Sequence, residues 1–154
     1  MLSENFVSDW NDILRNIIWK DTELKDLMKI PAKTSIVDFT KKYFIRAGYD
    51  SELLTNQAVR VIYGNTGGGE TDVPNILRQN LTFDVYVRIE ENNNVGNDRL
   101  VDRTDLIMNR ILYLLRKSRY NGVYRFWVSD ERDRPTRTIG YVRKQFTLGY
   151  LKLY

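Results

Sequence analysis

The glycine-rich run at 64–69 is the segment whose residue types could most readily bind a phosphate, because exposed backbone amides can surround an anion. A P-loop also needs a lysine, then serine or threonine, directly after its last glycine. In this chain an acidic Glu-Thr-Asp sequence follows at 70–72, and no helix start comes directly after it. We therefore interpret residues 64–80 as a flexible loop that orders against a partner. The candidate docking residues are Gly64, Asn65, Thr66, Gly67, Gly68, Gly69 and Glu70.

Two groups of carboxylates could in principle bind a divalent cation or exchange protons, Glu90 with Glu91, and Asp130 with Glu131 and Asp133. Both fall in predicted turns and lack the glycine pattern of an EF-hand, so we interpret them as solvated turn charges. The chain contains no cysteine and no histidine, which excludes thiolate nucleophiles, imidazole bases and zinc fingers. We expect no catalytic residue, metal or cofactor, and a protein that is not an enzyme. A carboxylate-dependent, metal-assisted enzyme is the remaining enzymatic alternative.

A long helix predicted over residues 98–117 carries two neighbouring charged stripes, since successive residues are about 100° apart around the helix. The acidic stripe consists of Asp98, Asp102 and Asp105, and the basic stripe of Arg99, Arg103 and Arg110. Like charges four residues apart slightly destabilise an isolated helix. The stripes fit a solvated face with ion pairs between them. They also fit a candidate subunit interface, in which one copy meets a different surface of the next and sets the register of a ring.

Basic residues lie near aromatic ones in the segments 41–46, 116–119 and 132–143, which can resemble a nucleic-acid surface. No known binding motif accompanies them, and acidic residues are interleaved along most of the chain, so the net charge of +4 decides little. The ten tyrosines and three tryptophans favour anchors of the core and of interfaces. A DNA-binding assembly or regulatory protein stays open as an alternative function.

The elements that must position these residues indicate a single α+β domain over residues 1–154. An amphipathic helix begins near Asn5, and Asp21 caps a second short helix that Pro31 ends. Strands are predicted over 57–63, 81–90 and 123–128, with a last strand running toward Tyr154. We expect a mainly antiparallel sheet of about four strands, with two main helices packed on one face. The predicted order is helix, strand, strand, helix, strand, strand.

Two local features of the predicted elements are less regular. Residues 35–47 fit either a capped helix or an alternating strand, and we favour the helix. A charged loop is expected around residues 132–136. In the last strand the apolar phase changes between Tyr150 and Leu151, which predicts a β-bulge near Gly149.

Taken in this order, the elements resemble those of the tail-terminator and tail-completion (head-tail joining) proteins of long-tailed bacteriophages. The resemblance rests on residues 6–18, 59–64, 81–90, 98–117 and 146–150, and it concerns element order and apolar phase over most of the chain. It implies a virion protein that forms a homo-oligomeric, hexameric ring at the head-tail junction and terminates or completes the tail. Residues 31–56 are longer than the resemblance predicts and form a possible insert.

The same resemblance implies the partners and the location of the protein. The partners would be neck or connector proteins and tail-tube proteins, with DNA passing through the ring without sequence-specific binding. Charged residues near the N-terminus, among them Glu4 and Asp9, interrupt any signal-peptide core, and no apolar run reaches membrane-spanning length. We therefore expect a soluble protein without membrane contact, assembled in the host cytoplasm and found in the tail or neck of the virion.

Overall fold

Five strands form one sheet in the order β1-β2-β3-β5-β4. The computed structural model describes residues 14–48, 57–93, 101–118, 123–136 and 139–153. The strands are β1 (Phe44–Arg46), β2 (Val59–Glu70), β3 (Ile76–Arg88), β4 (Val123–Arg134) and β5 (Tyr141–Leu153). All neighbouring strands run antiparallel except β1, which pairs with β2 in parallel.

Four α-helical segments and two π-helical turns accompany the sheet in the described residues. The α-helical segments are α1 (Thr22–Leu27), α2 (Ile36–Asp38), α3 (Ile89–Asn92) and α4 (Arg103–Ser118), and the π-helical turns are Leu14–Ile18 and Phe39–Tyr43. The predicted cap of α1 is confirmed, because the Asp21 carboxylate accepts a hydrogen bond of 2.9 Å from the Leu24 amide. Residues 1–13, which include most of the predicted first helix, lie outside the described residues.

The core lies between the sheet and α4, which packs across β3 and β4. Alternation along β3 directs Phe83, Val85 and Val87 to the helix side, where all three are fully buried. The helix contributes a stripe at spacings of three and four residues, which includes Ile107 and Ile111. The strict alternation that predicted this strand is therefore confirmed from Leu81 to Val87, whereas Ile89 lies in α3 and is 51% exposed.

The α+β class is confirmed, but the sheet is mixed and has five strands where about four antiparallel ones were expected. The difference lies in residues 35–47, where the favoured helix is present as far as Tyr43 and β1 follows directly. Phe39 and Phe44 stack with ring centroids 5.7 Å apart, and both rings are buried in the core. Burial of the Phe44 ring holds the chain beside β2. The apolar spacing of this segment fits both a helix and a strand, so it could not reveal that pairing.

The expectation of a flexible loop over residues 64–80 is wrong for most of that segment. β2 continues to Glu70 and pairs with the first half of β3, with one register shift between Asn65 and Gly67. Only residues 71–75 form the turn, which the Thr71 hydroxyl ties together by donating to the carbonyls of Val73 (3.0 Å) and Ile76 (2.8 Å). Ladder hydrogen bonds offset the conformational freedom that made the glycines look like a loop.

β4 and β5 also depart from expectation. β4 extends through the acidic and basic residues as far as Arg134, so the charged loop expected around 132–136 is strand over most of that length. The bulge near Gly149 is wrong, because β3 and β5 pair without a shift from Arg88–Tyr141 to Ile76–Leu153. The register shifts lie in the pairing of β4 with β5. A Cβ at Gly149 would lie 2.5 Å from the Trp127 ring, so the glycine makes room for the indole while the strand stays regular.

Candidate functional site

The two charged stripes of the long helix hold the fold together in the part of the chain that the structure describes. Asp98 and Arg99 lie outside that part. Arg103 is only 9% exposed, and it donates from Nε to the Glu91 carbonyl (2.8 Å) and from Nη1 to the Leu27 carbonyl (2.7 Å). This guanidinium therefore ties the start of α4 to α1 and α3.

The other described stripe residues also bond within the chain. Arg110 makes a two-point ion pair with Asp21, at 2.8 and 2.7 Å, and its hydrogen bond lowers the pKa of that carboxyl below the usual value. Asp105 pairs with Lys144 of β5 at 2.8 Å, and the Asp102 carbonyl accepts the amide of Asp105. The charges of Arg103, Asp105 and Arg110 are engaged within the chain, whereas the bond at Asp102 involves its backbone and not its carboxylate. A subunit interface at the stripes stays a prediction.

The two carboxylate groups are placed differently from what was expected. Glu90 and Glu91 lie in α3, and Glu91 forms an ion pair of 2.5 Å with Lys29, which lowers the pKa of Glu91. The group from Asp130 to Asp133 lies in β4, not in a turn. In the described ranges no group of three or more acidic residues is arranged to hold a metal ion.

The face of the sheet opposite α4 is rich in arginine. Side chains alternate along each strand, so the positions that pair with Asp84 and Gln145 point away from the helix. We call the set of basic positions on this side the arginine face. It consists of Arg60 on β2, Arg78 and Arg88 on β3, Arg132 and Arg134 on β4, and Arg143 on β5. The acidic residues at described positions of the same face are Asp84 and Asp130.

Hydrogen bonds fix the middle of the arginine face. Arg143 binds Asp84 through Nε and Nη2, both at 2.9 Å, and its guanidinium lies 5.5 Å from the centre of the Tyr86 ring. Arg88 donates from Nε to the Tyr141 hydroxyl at 3.3 Å. One carboxylate thus orients one guanidinium, while positive charge remains in excess.

The arginines at the end of the face come from the alternation of charge in β4. Arg132 and Arg134 pair with Gln145 and Arg143 and face outward, while Glu131 and Asp133 pair with Phe146 and Lys144 on the helix side. Sequence reasoning marked residues 132–143 as basic but missed this face, because it placed the segment in a loop. The alternation of acidic and basic residues at 131–134, which has the period of a strand, was the signal that could have found it.

The sheet also has two different edges in the part of the chain that the structure describes. β4 pairs with β5 on one side, and no described strand pairs with its other side. On the opposite edge, the pairing of β1 with β2 ends at Tyr63, and no described strand pairs there between Gly67 and Glu70. An unpaired edge offers backbone amides and carbonyls to another strand. The predicted docking residues Gly67 to Glu70 therefore lie at a strand edge.

No protein-family model matches the chain, and no curated protein matches it. Within the described ranges, no helix has both the length and the apolar character needed to cross a membrane. The function must therefore be inferred from the two sheet edges and the arginine face.

Proposed function

We propose that the protein is a structural subunit that forms a ring at the head-tail junction of a tailed bacteriophage. There it terminates or completes the tail and joins it to the capsid connector. The proposal of ring assembly is supported by one observation, which is that the two edges of the sheet differ from each other. A ring requires two different, complementary patches on each subunit.

The two edges differ in their chemistry. β4 carries alternating charges from Glu131 to Arg134, and charged side chains on an edge discourage indiscriminate strand pairing. The free end of β2 consists of Gly67, Gly68 and Gly69 followed by Glu70, so a neighbouring backbone can approach it closely. We infer that the glycine edge of one copy pairs with the β4 edge of the next.

The phage setting rests on the resemblance in element order. Helix, strand pair, helix and strand pair follow each other along the chain, and β1 is an addition to that order. Neck, connector and tail-tube proteins enter the proposal as partners on the same ground. We assign the protein no reaction.

The edge contact can be tested with one substitution and a matched control. A Cβ at Gly69 would meet nothing within 4 Å, so Gly69→Lys fits the fold while placing a charge on the glycine edge. Val73→Lys adds the same charge in the neighbouring turn, where the residue is exposed. We expect light scattering and negative-stain images to show rings for the natural chain and Val73→Lys, and smaller species for Gly69→Lys.

Two results would contradict the proposal. One is a chain that remains an 18.3 kDa monomer both alone and with neck and tail-tube proteins. The other is assembly that Gly69→Lys leaves unchanged, which would place the contact away from the glycine edge.

A further inference from the structure

We propose that the arginine face binds the sugar-phosphate backbone of double-stranded DNA without reading its sequence. This inference goes beyond ring assembly and does not rest on it. Arg132 and Arg134 lie on β4, the edge strand of the proposed ring contact, so assembly is measured separately from DNA binding. Arg78, Arg132 and Arg134 are exposed, Arg88 and Arg143 are partly exposed, and Arg60 is buried. The acidic residues at described positions of this face are Asp84, which Arg143 binds, and Asp130, which Arg132 binds. The accessible part therefore carries an excess of positive charge.

The arginines are spread over a length that suits a long polyanion. Arg78 and Arg88 lie ten positions apart on β3, which corresponds to about 34 Å along a strand. That length is about one turn of a DNA duplex. Arg132 and Arg134 lie about 7 Å apart on β4, which runs two strands away from β3. Phosphates repeat along a duplex, so a dispersed array can bind several of them at once.

The aromatic side chains of the same face favour a duplex over a single strand. Single strands bind where bases can stack on exposed rings. Here the Tyr86 ring faces the Arg143 guanidinium, Tyr141 is only 8% exposed, and the Trp127 ring lies against Gly149. These rings pack against other groups of the fold, whereas Arg78, Arg132 and Arg134 are exposed and are the most accessible groups for a ligand.

Among the described residues, no large apolar side chain of the face is fully exposed, which favours a nucleic acid over an acidic protein. Stable protein interfaces are centred on buried apolar or aromatic anchors. The exposed large apolar side chains of the described residues are Val37, Val73, Ile89, Tyr113, Val128 and Ile139. None of them lies on the arginine face, since Val128 pairs with Leu148 on the helix side and the others lie outside the sheet.

The test compares two double variants that lose equal charge from different sides of the sheet. Arg132→Gln with Arg134→Gln removes two arginines from the face, and Lys41→Gln with Lys117→Gln removes two exposed lysines from helical segments. Fluorescence anisotropy with a labelled duplex of about three helical turns measures affinity at several salt concentrations from about 50 to about 200 mM. Circular dichroism checks the fold, and light scattering on the same samples reports assembly separately.

We expect the natural chain to bind with a steep salt dependence. The arginine variant should bind roughly tenfold more weakly at low salt, and its log–log salt slope should be smaller in magnitude by about 2, which is one unit for each phosphate that an arginine no longer neutralises. The lysine variant should stay within about twofold of the natural chain, since its charges lie away from the phosphates.

Three outcomes would overturn the inference. They are no duplex binding by the natural chain at about 50 mM salt, equal losses in the two variants, and tighter binding of single-stranded DNA or of polyglutamate than of the duplex. Tighter binding of single-stranded DNA would indicate a base-stacking surface, and tighter binding of polyglutamate would indicate an acidic protein partner. Weaker DNA binding by the arginine variant with assembly intact supports the inference and leaves the ring proposal standing, whereas loss of assembly alone contradicts only the ring.

Discussion

Replacing Asp21 should reveal how much the ion pair with Arg110 stabilises the fold. This carboxylate does two things, because it caps α1 through the Leu24 amide and binds the Arg110 guanidinium at two points. Its side chain is only 12% exposed and that of Arg110 is 22% exposed, so the pair is poorly screened by water. Asp21→Asn keeps an oxygen that can cap the helix and removes the charge.

The expected magnitudes separate the two roles. Hydrogen bonds to charged groups contribute about 1.5 to 3 kcal/mol, and Glu23 still contacts Arg110 at 2.9 Å in the variant, so Asp21→Asn should lower the free energy of unfolding by about 1 to 2 kcal/mol. Asp21→Ala should lower it by about 1 kcal/mol more, because the cap is also removed. Glu23→Gln is the control and should cost less than about 0.5 kcal/mol, since that side chain is 62% exposed.

Urea denaturation at neutral pH measures these differences, and its dependence on pH gives an independent check. Arg110 lowers the pKa of Asp21 in the folded state below the ordinary value of 3.8. The stabilisation is therefore complete above that ordinary value and is lost as the pH falls through the folded-state pKa. The difference in the free energy of unfolding between the natural chain and Asp21→Asn should therefore become smaller in acid.

A double-mutant cycle with Arg110→Gln decides whether the pair itself is responsible. We expect a coupling energy of about 1 to 2 kcal/mol between the two positions. A coupling below about 0.3 kcal/mol would refute the reasoning, because measured values for independent sites add within that range. The reasoning would also be refuted if the difference in the free energy of unfolding between the natural chain and Asp21→Asn stayed unchanged in acid.

Three further predictions concern the packing of the sheet and the long helix. Gly149→Ala should destabilise the protein by about 1 to 3 kcal/mol because its Cβ meets the Trp127 ring. When Trp127→Ala is already present, Gly149→Ala should destabilise the protein less, and urea denaturation measures both effects. Arg103→Met should lower the free energy of unfolding by about 1 to 3 kcal/mol for each carbonyl that is left without a hydrogen bond and out of contact with water. The rate of amide hydrogen exchange should rise at the end of α1. Asp102→Arg should weaken rings if the charged stripes are interfacial, and unchanged ring mass in light scattering would assign those charges to the fold alone.

The sequence was most informative where one pattern had one physical meaning. Strict alternation predicted a strand with one buried face, and β3 has that face from Leu81 to Val87. Asp21 before an apolar helix predicted the cap that is present. Both inferences depend on neighbours within a few residues of one another, which is the range over which local patterns act.

The errors arose where partners distant in sequence decide the structure. Glycines at 64–69 indicate a loop by composition, but pairing with β3 makes them part of a strand. The acidic and basic residues at 130–134 looked solvated, and β5 sorts them onto two faces. Gly149 looked like a bulge, although its role is to admit the Trp127 ring. No local pattern carries these long-range pairings.

The hydrogen bond from Arg103 to the Leu27 carbonyl has a consequence for how the chain is made. The two residues lie 76 positions apart, so the carbonyl at the end of α1 emerges from the ribosome long before its donor. At about 5 to 20 residues per second, the interval is about 4 to 15 s. During synthesis water must occupy that carbonyl, and the nascent N-terminal helix can acquire its final partner only after most of the sheet has been translated.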